Sequence, residues 1–437
     1  MTDALLRPEA DPFVGLDIAP TLRVATAGSV DDGKSTLLGR LLHDTKTVFE
    51  DQLKAVVRAS RRYGDGSTNL ALLTDGLRAE REQGITIDVA HRYFATPRRS
   101  FIVADTPGHA QYTRNMVTGA STSDVAIVLV DARHGVVDQT RRHALIAAML
   151  GAQSVVVAVN KMDLVDWDRA RFDTIRLEVE RFVAALPHPV PVFAIPMSAL
   201  LGDNVVDRST NTPWYDGPPL LEWLEDFELA PASQLGARVH VQRVIRPQGG
   251  EHADFRGQAG VVTGGWLQRG DDVVVLPAGR RSSVAAIHRW GSEVTEAGPG
   301  HAVVVELADD LDVARGDVIV AADASAPVVG ESVIADLCWM VDRPLVEGSR
   351  WWFHHGTRTG HAVVAEILHH LSPDTLEQEP ADRLVLNDLG RVRLLLGDVI
   401  VADAYHELPE GGRMVLVDPA DNATAAAVMV RSVEAPR

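Results

Sequence analysis

The chain has 437 residues, 46% of them apolar and 23% charged, the composition of a soluble globular protein too long for one compact core. Its 42 basic against 60 acidic residues leave a net charge of −18, a field that repels polyanions and argues against a sequence-independent grip on nucleic acid or anionic lipid. One cysteine, Cys338, excludes an intramolecular disulfide and a cysteine-built metal site.

Residues 1–20 read as an N-terminal extension, MTDALLRPEADPF and onward, without the basic start and apolar core of a secretory signal. No run approaches the ~18 uninterrupted apolar residues of a membrane span, so the expected location is the cytoplasm and no membrane partner is expected. From 21 to 230 short apolar, β-branched runs (TLRVATAG, FIVADTPG, VAIVLVDA, SVVVAVNK, VPVFAIPMSA) alternate with segments of helical spacing such as STLLGRLL and QTRRHALIAAMLG. That alternation predicts an α/β domain with a parallel sheet covered on both faces, whose ligand-binding residues gather at the carboxyl ends of strands.

The first strand, TLRVATA, runs into Gly28, Ser29, Val30, Asp31, Asp32, Gly33, Lys34, Ser35 and Thr36. Its glycine spacing, between a strand and a helical segment, is that of a phosphate-binding loop. Glycines let successive backbone N–H groups turn around a phosphate, and the following helix N-terminus adds partial positive charge. Lys34 would neutralise the β- and γ-phosphates and the Ser35 hydroxyl would coordinate Mg²⁺. The loop alone leaves the base and the use of the phosphate energy open.

Farther on, RAEREQGITID (78–88) is a polar segment ending in Gly84-Ile85-Thr86-Ile87. Taken singly this is an unremarkable strand start. Alternatively, Thr86 reaches Mg²⁺ and a γ-phosphate when they are present and is released on hydrolysis, a bistable element. Asp105-Thr106-Pro107-Gly108-His109 closes the strand FIVA; an Asp there can hold a Mg²⁺ water and the Gly108 amide can sense the γ-phosphate, though an ordinary turn reads the same in isolation. Tyr112, Arg114 and Asn115 follow, at the start of a helix. Asn160-Lys161-Met162-Asp163 closes SVVVAV. An Asp163 carboxylate accepts from two guanine donors, N1–H and the exocyclic amine, a pair adenine does not offer. Asn160 would tie this loop to the phosphate loop. Ser198-Ala199-Leu200 ends the next strand, with the Ala199 N–H placed to reach guanine O6.

After WYDGPPLLEWLEDFEL, a final helix, the texture changes to short alternating strands and turn clusters from about Gly236. Two small all-β domains, barrels or sandwiches, are expected over 236–322 and 328–437, joined by a short linker within ADASAPVVGE. His354, His355, His369 and His370 come as adjacent pairs whose side chains would point to opposite faces of a strand, which disfavours a metal site. Trp339, Trp351 and Trp352 concentrate aromatic area in the second barrel; core filling is the default, and an exposed pair would suggest a partner interface.

The five loop elements, in this order, resemble the translation-factor class of GTPases that contains elongation factor Tu. The resemblance implies a G domain followed by two β-barrels, with GTP/GDP and Mg²⁺ as cofactors. It places His109 where Ras-type switches carry the glutamine that orients the attacking water, so His109, Lys34, Thr86 and Gly108 are the implied catalytic group, and Ser35, Thr86 and Asp105 the implied metal set. A closer resemblance is to the GTPase (large) subunit of bacterial sulfate adenylyltransferase. Asp32 and Ser35 stand where elongation factors have His and Thr. The runs from Ala71 to Phe94 and from Phe101 to Ile146, WYDGPPLLEWLE, FRGQAGVVTGG, CWMVDRPLVEGSRWWF, LVLNDLGRV and DPADNATAAAVMV are similar to that family, over about Leu22 to Arg431. Departures are Gly412-Arg413-Met414, where the family usually shows Gly-Ser-Phe, and Val136-Val137-Asp138-Gln139.

The resemblance implies GTP hydrolysis coupled to synthesis of adenylylsulfate and pyrophosphate from ATP and sulfate by a separate small catalytic subunit, in a heterodimer. Many relatives carry a fused adenylylsulfate kinase; no second Gly-x-x-x-x-Gly-Lys-Ser/Thr occurs here, so a single activity is expected. The alternative is a translation-type GTPase acting on the ribosome or a charged RNA. That role needs a basic, aromatic-bearing surface, for which Arg280, Arg281, Arg289, Arg343 and Arg350 are only scattered candidates, so no nucleic-acid partner is expected.

Overall fold

A computed structural model of the chain describes residues 19–46, 70, 88–109, 113–230, 235–247, 249 and 255–434. The described chain divides into two compact units, one holding the residues up to Ala230 together with Ser372–Glu377 and the other the rest from Leu235 onward. Among the described residues, no helix is long and apolar enough to cross a membrane.

The first unit is an α/β sheet of six strands: β1 (Ala19–Ala27), β2 (Ala90–Ala95), β3 (Arg99–Asp105), β4 (Val125–Asp131), β5 (Ser154–Asn160) and β6 (Val192–Pro196), in the order β2-β3-β1-β4-β5-β6. β4 and β5 are buried along their whole length, as expected of central strands with helices on both faces. The sequence predicts a parallel sheet, and the five strands from β3 to β6 in sheet order are parallel. β2 differs: it runs antiparallel to β3 at the edge, with exposed residues alternating with half-buried ones and the buried Phe94, as in a one-sided strand. The helices are α1 (Lys34–Asp44), α2 (Thr113–Ala120), α3 (Asp138–Met149), α4 (Arg169–Ala184) and α5 (Leu220–Asp226). α4 shows why such segments choose a helix. Phe172, Ile175, Val179 and Val183 recur at helical spacing on one buried stripe, and the Asp168 side chain caps the N-terminus by accepting from Ala170 N–H at 2.9 Å.

The second unit holds two closed antiparallel barrels. In the first, β7 (Ala237–Ile245), β8 (Gly257–Gly264), β9 (Asp272–Leu276), β10 (Arg280–Arg289), β11 (Ala302–Leu307) and β12 (Val318–Ala321) form a ring closed by the β9–β10 pairing. In the second, β13 (Val328–Trp339), β14 (Arg350–His355), β15 (Arg358–Leu371), β16 (Leu389–Ala402), β17 (Arg413–Val417) and β18 (Thr424–Glu434) form a ring closed by β14–β15. Closure removes exposed sheet edges. Trp339 and Trp351 are buried edge to face in this second core, while Trp352 is 36% exposed, so the exposed pair considered from sequence does not exist.

β13 begins at Val328, after a short irregular stretch that follows Ala321, and the two barrels are fastened into one unit. Arg238 on β7, fully buried, meets Asp403, just past β16, at 3.1 Å and also donates to the carbonyls of Leu235, Gly236 and Ser325. Thr357 Oγ1 donates to Val241 O at 2.9 Å, and Arg358 pairs with Asp317 at 3.3 Å. Arg343, one of the scattered basic candidates, lies 3.9 Å over the Trp351 ring and pairs with Asp418.

Candidate functional site

The loops at the carboxyl ends of β1, β3, β4, β5 and β6 converge. β1 buries Leu22, Val24, Ala25 and Ala27, which fixes where Gly28 begins the phosphate loop. Gly33 has φ +96 and a Cβ there would lie 2.5 Å from Asn160 Nδ2, so this position needs glycine on two counts. Within the loop the Asp32 carboxylate accepts from Ser29 N–H at 2.6 Å. Burial raises the Asp32 carboxyl above its ordinary value, against the lowering influence of Lys34.

Lys34 is buried at the start of α1, and its Nζ donates to Gly28 O and Ser29 O, both at 2.8 Å. Burial pushes its ammonium down, opposed by Asp32 and Asp105. The Ser29 hydroxyl is buried with no hydrogen-bond partner. A buried ammonium satisfied only by carbonyls, a cradle in which Gly28 and Gly33 both have positive φ, and an orphaned hydroxyl fit an anionic ligand with many acceptor oxygens. Ser35 and Thr36 occupy the first turn of α1, half-buried.

The β3 end approaches this loop closely. Asp105 is 2% exposed and Thr26 Oγ1 donates to its Oδ1 at 3.3 Å, while Thr106 Oγ1 donates to Thr26 O at 2.6 Å. A Cβ at Gly108 would meet Lys34 Nζ at 2.3 Å and Gly28 O at 2.5 Å, so the Gly108 backbone rests directly on the phosphate loop. His109 follows on the exposed side. Arg114 and Asn115 lie on α2. Thr86 and Tyr112 fall outside the described residues.

Asn160 joins three loops. Its Nδ2 donates to Asp32 O at 2.7 Å and its Oδ1 accepts from Ala199 N–H at 2.9 Å. The Ala199 N–H expected to reach a base is thus engaged by Asn160 here. Asp163 is half-buried in the single turn of 3₁₀ helix Met162–Val165, and Ser198 Oγ accepts from Leu201 N–H at 3.2 Å. Lys161, in the left-handed region at φ +62, extends to the phosphate loop and donates to Asp31 O.

Three residues of this network went unnoticed in the sequence. Arg40 on α1 donates to Ala199 O and Leu200 O, holding the third loop. Thr26 links β1 to the β3 end. Asp131, the last residue of β4, is 3% exposed and binds Lys161 Nζ at 2.9 Å and Arg133 Nη2 at 2.6 Å. Burial works against its charge, but hydrogen bonds from Arg133 and Lys161 prevail and hold the carboxyl well below the usual carboxylate range. The one available signal was positional: Asp131 ends an apolar strand, as Asp105 and Asn160 do.

His354 and His355 behave as alternating strand residues, whereas His369 and His370 on β15 are both half-buried. His354 is exposed, while His355 is buried with Nε2 2.9 Å from Gly411 O.

Comparison with known proteins adds the following. A family model described as the elongation factor Tu GTP binding domain matches residues 19–232, and a GTP-eEF1A C-terminal domain-like model matches 332–431. The chain is 52% identical over 412 residues to a bifunctional enzyme CysN/CysC of Mycobacterium tuberculosis, covering 94% of this chain and 67% of that one. It is 48% identical over 417 residues to a sulfate adenylyltransferase subunit 1 of Laribacter hongkongensis, covering 94% and 85%. A protein of the same name from Methylorubrum extorquens is 48% identical over 436 residues, covering 99% and 90%.

Proposed function

The chain belongs to the sulfate adenylyltransferase subunit 1 family, and we propose that its converging loops bind GTP and make it the energy-coupling GTPase of sulfate activation. The observation that carries the nucleotide reading is Asn160, whose amide fastens the phosphate loop and the Ser198–Leu200 turn to the Asn160–Asp163 loop. Those are the three surfaces that a guanine nucleotide must touch at once.

In this site the N–H groups of Gly28 to Thr36 and the Lys34 ammonium take the phosphate oxygens, replacing the carbonyls that Lys34 now holds. Asp163 reads the guanine N1–H and amine. Ser35 and Asp105 offer the hard oxygen donors that suit Mg²⁺, which when bound neutralises charge on the β- and γ-phosphates. His109 orients a water whose oxygen attacks the γ-phosphorus; the bond to the β,γ-bridging oxygen breaks, giving GDP and inorganic phosphate. Gly108 rests on Lys34 and the phosphate loop, so a γ-phosphate arriving there must displace or engage it. That contact and Thr86 form the part that differs between GTP and GDP states.

Adenylyl transfer from ATP to sulfate takes place on a separate small subunit in the cytoplasm. The phosphosulfate anhydride it makes is a high-energy bond, so the step runs uphill unless coupled. Coupling requires the small subunit to prefer one nucleotide state, since equal affinity for both shifts nothing.

Competition binding with a fluorescent guanine nucleotide tests the site. GDP should displace it and ADP should not, and Asp163→Asn should move the preference from guanine toward xanthine. Equal displacement by ADP, or an unchanged preference in the variant, would contradict the assignment.

A further inference from the structure

We infer that Asp131 is a positioning residue for nucleotide retention, acting through Lys161; the inference rests on the guanine-nucleotide reading of the site. β4 and β5 pair in parallel with Asp131 opposite Asn160, and Ala132 N–H donates to Asn160 O at 2.9 Å, so the ends of the two strands are in fixed register. Asp131 is therefore held rigidly beside the Asn160–Asp163 loop.

Its carboxylate is almost wholly buried, and it receives two cations. Arg133 approaches both oxygens, Nε at 3.0 Å from Oδ1 and Nη2 at 2.6 Å from Oδ2, and Arg133 N–H adds a bond to Oδ1 at 2.9 Å. Lys161 Nζ reaches Oδ2 at 2.9 Å while also donating to Asp31 O of the phosphate loop. The Lys161 side chain consequently spans from the base-reading loop to the phosphate loop, along the path that a nucleotide linking those loops would follow.

A lysine side chain is long and mobile, and a single backbone carbonyl is a weak anchor for it. The buried charge of Asp131 supplies a charge-assisted bond that fixes the ammonium end and so holds the stem in place before the nucleotide arrives. Without it, Lys161 is free to leave the phosphate loop, and the loop loses a strut tying it to the base-reading side. The expected consequence is faster nucleotide release, with hydrolysis of bound GTP little altered.

The test is GDP release followed by fluorescence from the full chain. Wild type must first bind GDP; if it does not, the site reading fails independently of this inference. Asp131→Asn should release GDP roughly tenfold faster, the effect of losing one charge-assisted bond. Lys161→Met should do the same, and the double variant should be no faster than either single one. Arg133→Ala, which spares the Asp131–Lys161 contact, should release GDP at near the wild-type rate. Wild-type release in Asp131→Asn, or effects that multiply in the double variant, would overturn the inference. A general weakening of the fold would instead accelerate release in Arg133→Ala and Asp131→Asn alike, which would also overturn it. Should Asp131→Asn fail to fold, Asp131→Glu and Lys161→Met keep the test available: Glu retains the charge and should release GDP more slowly than Lys161→Met.

Discussion

At Gly108 a single methyl group decides whether two loops can lie together. The Cβ would stand 2.3 Å from Lys34 Nζ and 2.5 Å from Gly28 O, distances that force the Gly108 segment off the phosphate loop. Gly108→Ala should therefore cut GTP hydrolysis at least about tenfold while leaving GDP affinity within about threefold, since the diphosphate does not need that approach. Equal loss of both would place Gly108 in general loop stability instead. Lys34→Ala should abolish binding of both nucleotides, because no other side-chain cation lies within the phosphate loop itself; normal affinity would sink the site. His109→Ala should slow turnover with binding unchanged, and turnover near wild type would remove His109 from the water-positioning role. At this scale the sequence was most informative where spacing alone encodes the chemistry, as at Gly28, Gly33 and Lys34. It was silent on Asp131 and Arg40, whose partners lie 30 and 159 positions away. Such contacts follow from strand register and helix placement, and no local pattern marks them.

Elements carry the next set of expectations. Alternation of apolar runs with helical segments identifies β1 and β3 to β6, since central strands of a parallel sheet are apolar on both faces. β2 escapes that reading because an edge strand covered on one side has an alternating pattern, AHRYFA, and pairs antiparallel. Two buried histidines link elements to pH. His143 on α3 is wholly buried, and burial, aided by the charges of Lys34 and Arg142, drives its pKa down to about 3. His240 on β7 is driven down to about 4 by burial, with His355 and Arg238 adding to the effect. Both stay neutral in the folded chain while the unfolded chain protonates them near 6.5, so stability is complete above about pH 6.5 and falls as pH drops below it. Each histidine should contribute a slope of about 1.4 kcal/mol per pH unit between about pH 6.5 and its folded value. Chemical denaturation of nucleotide-free protein at pH 7, 6 and 5 checks this, and His240→Leu should flatten the slope in the second unit; a flat profile in the wild type would contradict it.

For the molecule as a whole, the organisation into an α/β unit followed by two barrels was legible because the period of apolar residues changes from mixed to alternating near Gly236. The fastening of the barrels to each other was not, because the buried Arg238–Asp403 ion pair joins residues 165 positions apart and shows only in three dimensions. Removing one partner of such a pair strands the other charge. Asp403→Asn should therefore cost about 3–5 kcal/mol of stability in the barrel unit, measurable by denaturation, with nucleotide affinity of the first unit unchanged. A loss below about 1 kcal/mol would mean that the carbonyls of Leu235, Gly236 and Ser325 suffice for Arg238.

The central claim is that GTP hydrolysis here is harnessed to sulfate activation, and one assay meets it most directly. GTP turnover by the purified chain is measured alone, with the small adenylyltransferase subunit, and with that subunit plus ATP and sulfate. Turnover that rises only when subunit and both substrates are present, together with adenylylsulfate formed beyond its uncoupled equilibrium, is the predicted result. Turnover indifferent to the subunit and its substrates, or stimulated instead by ribosomes, would contradict it and leave only the nucleotide site standing.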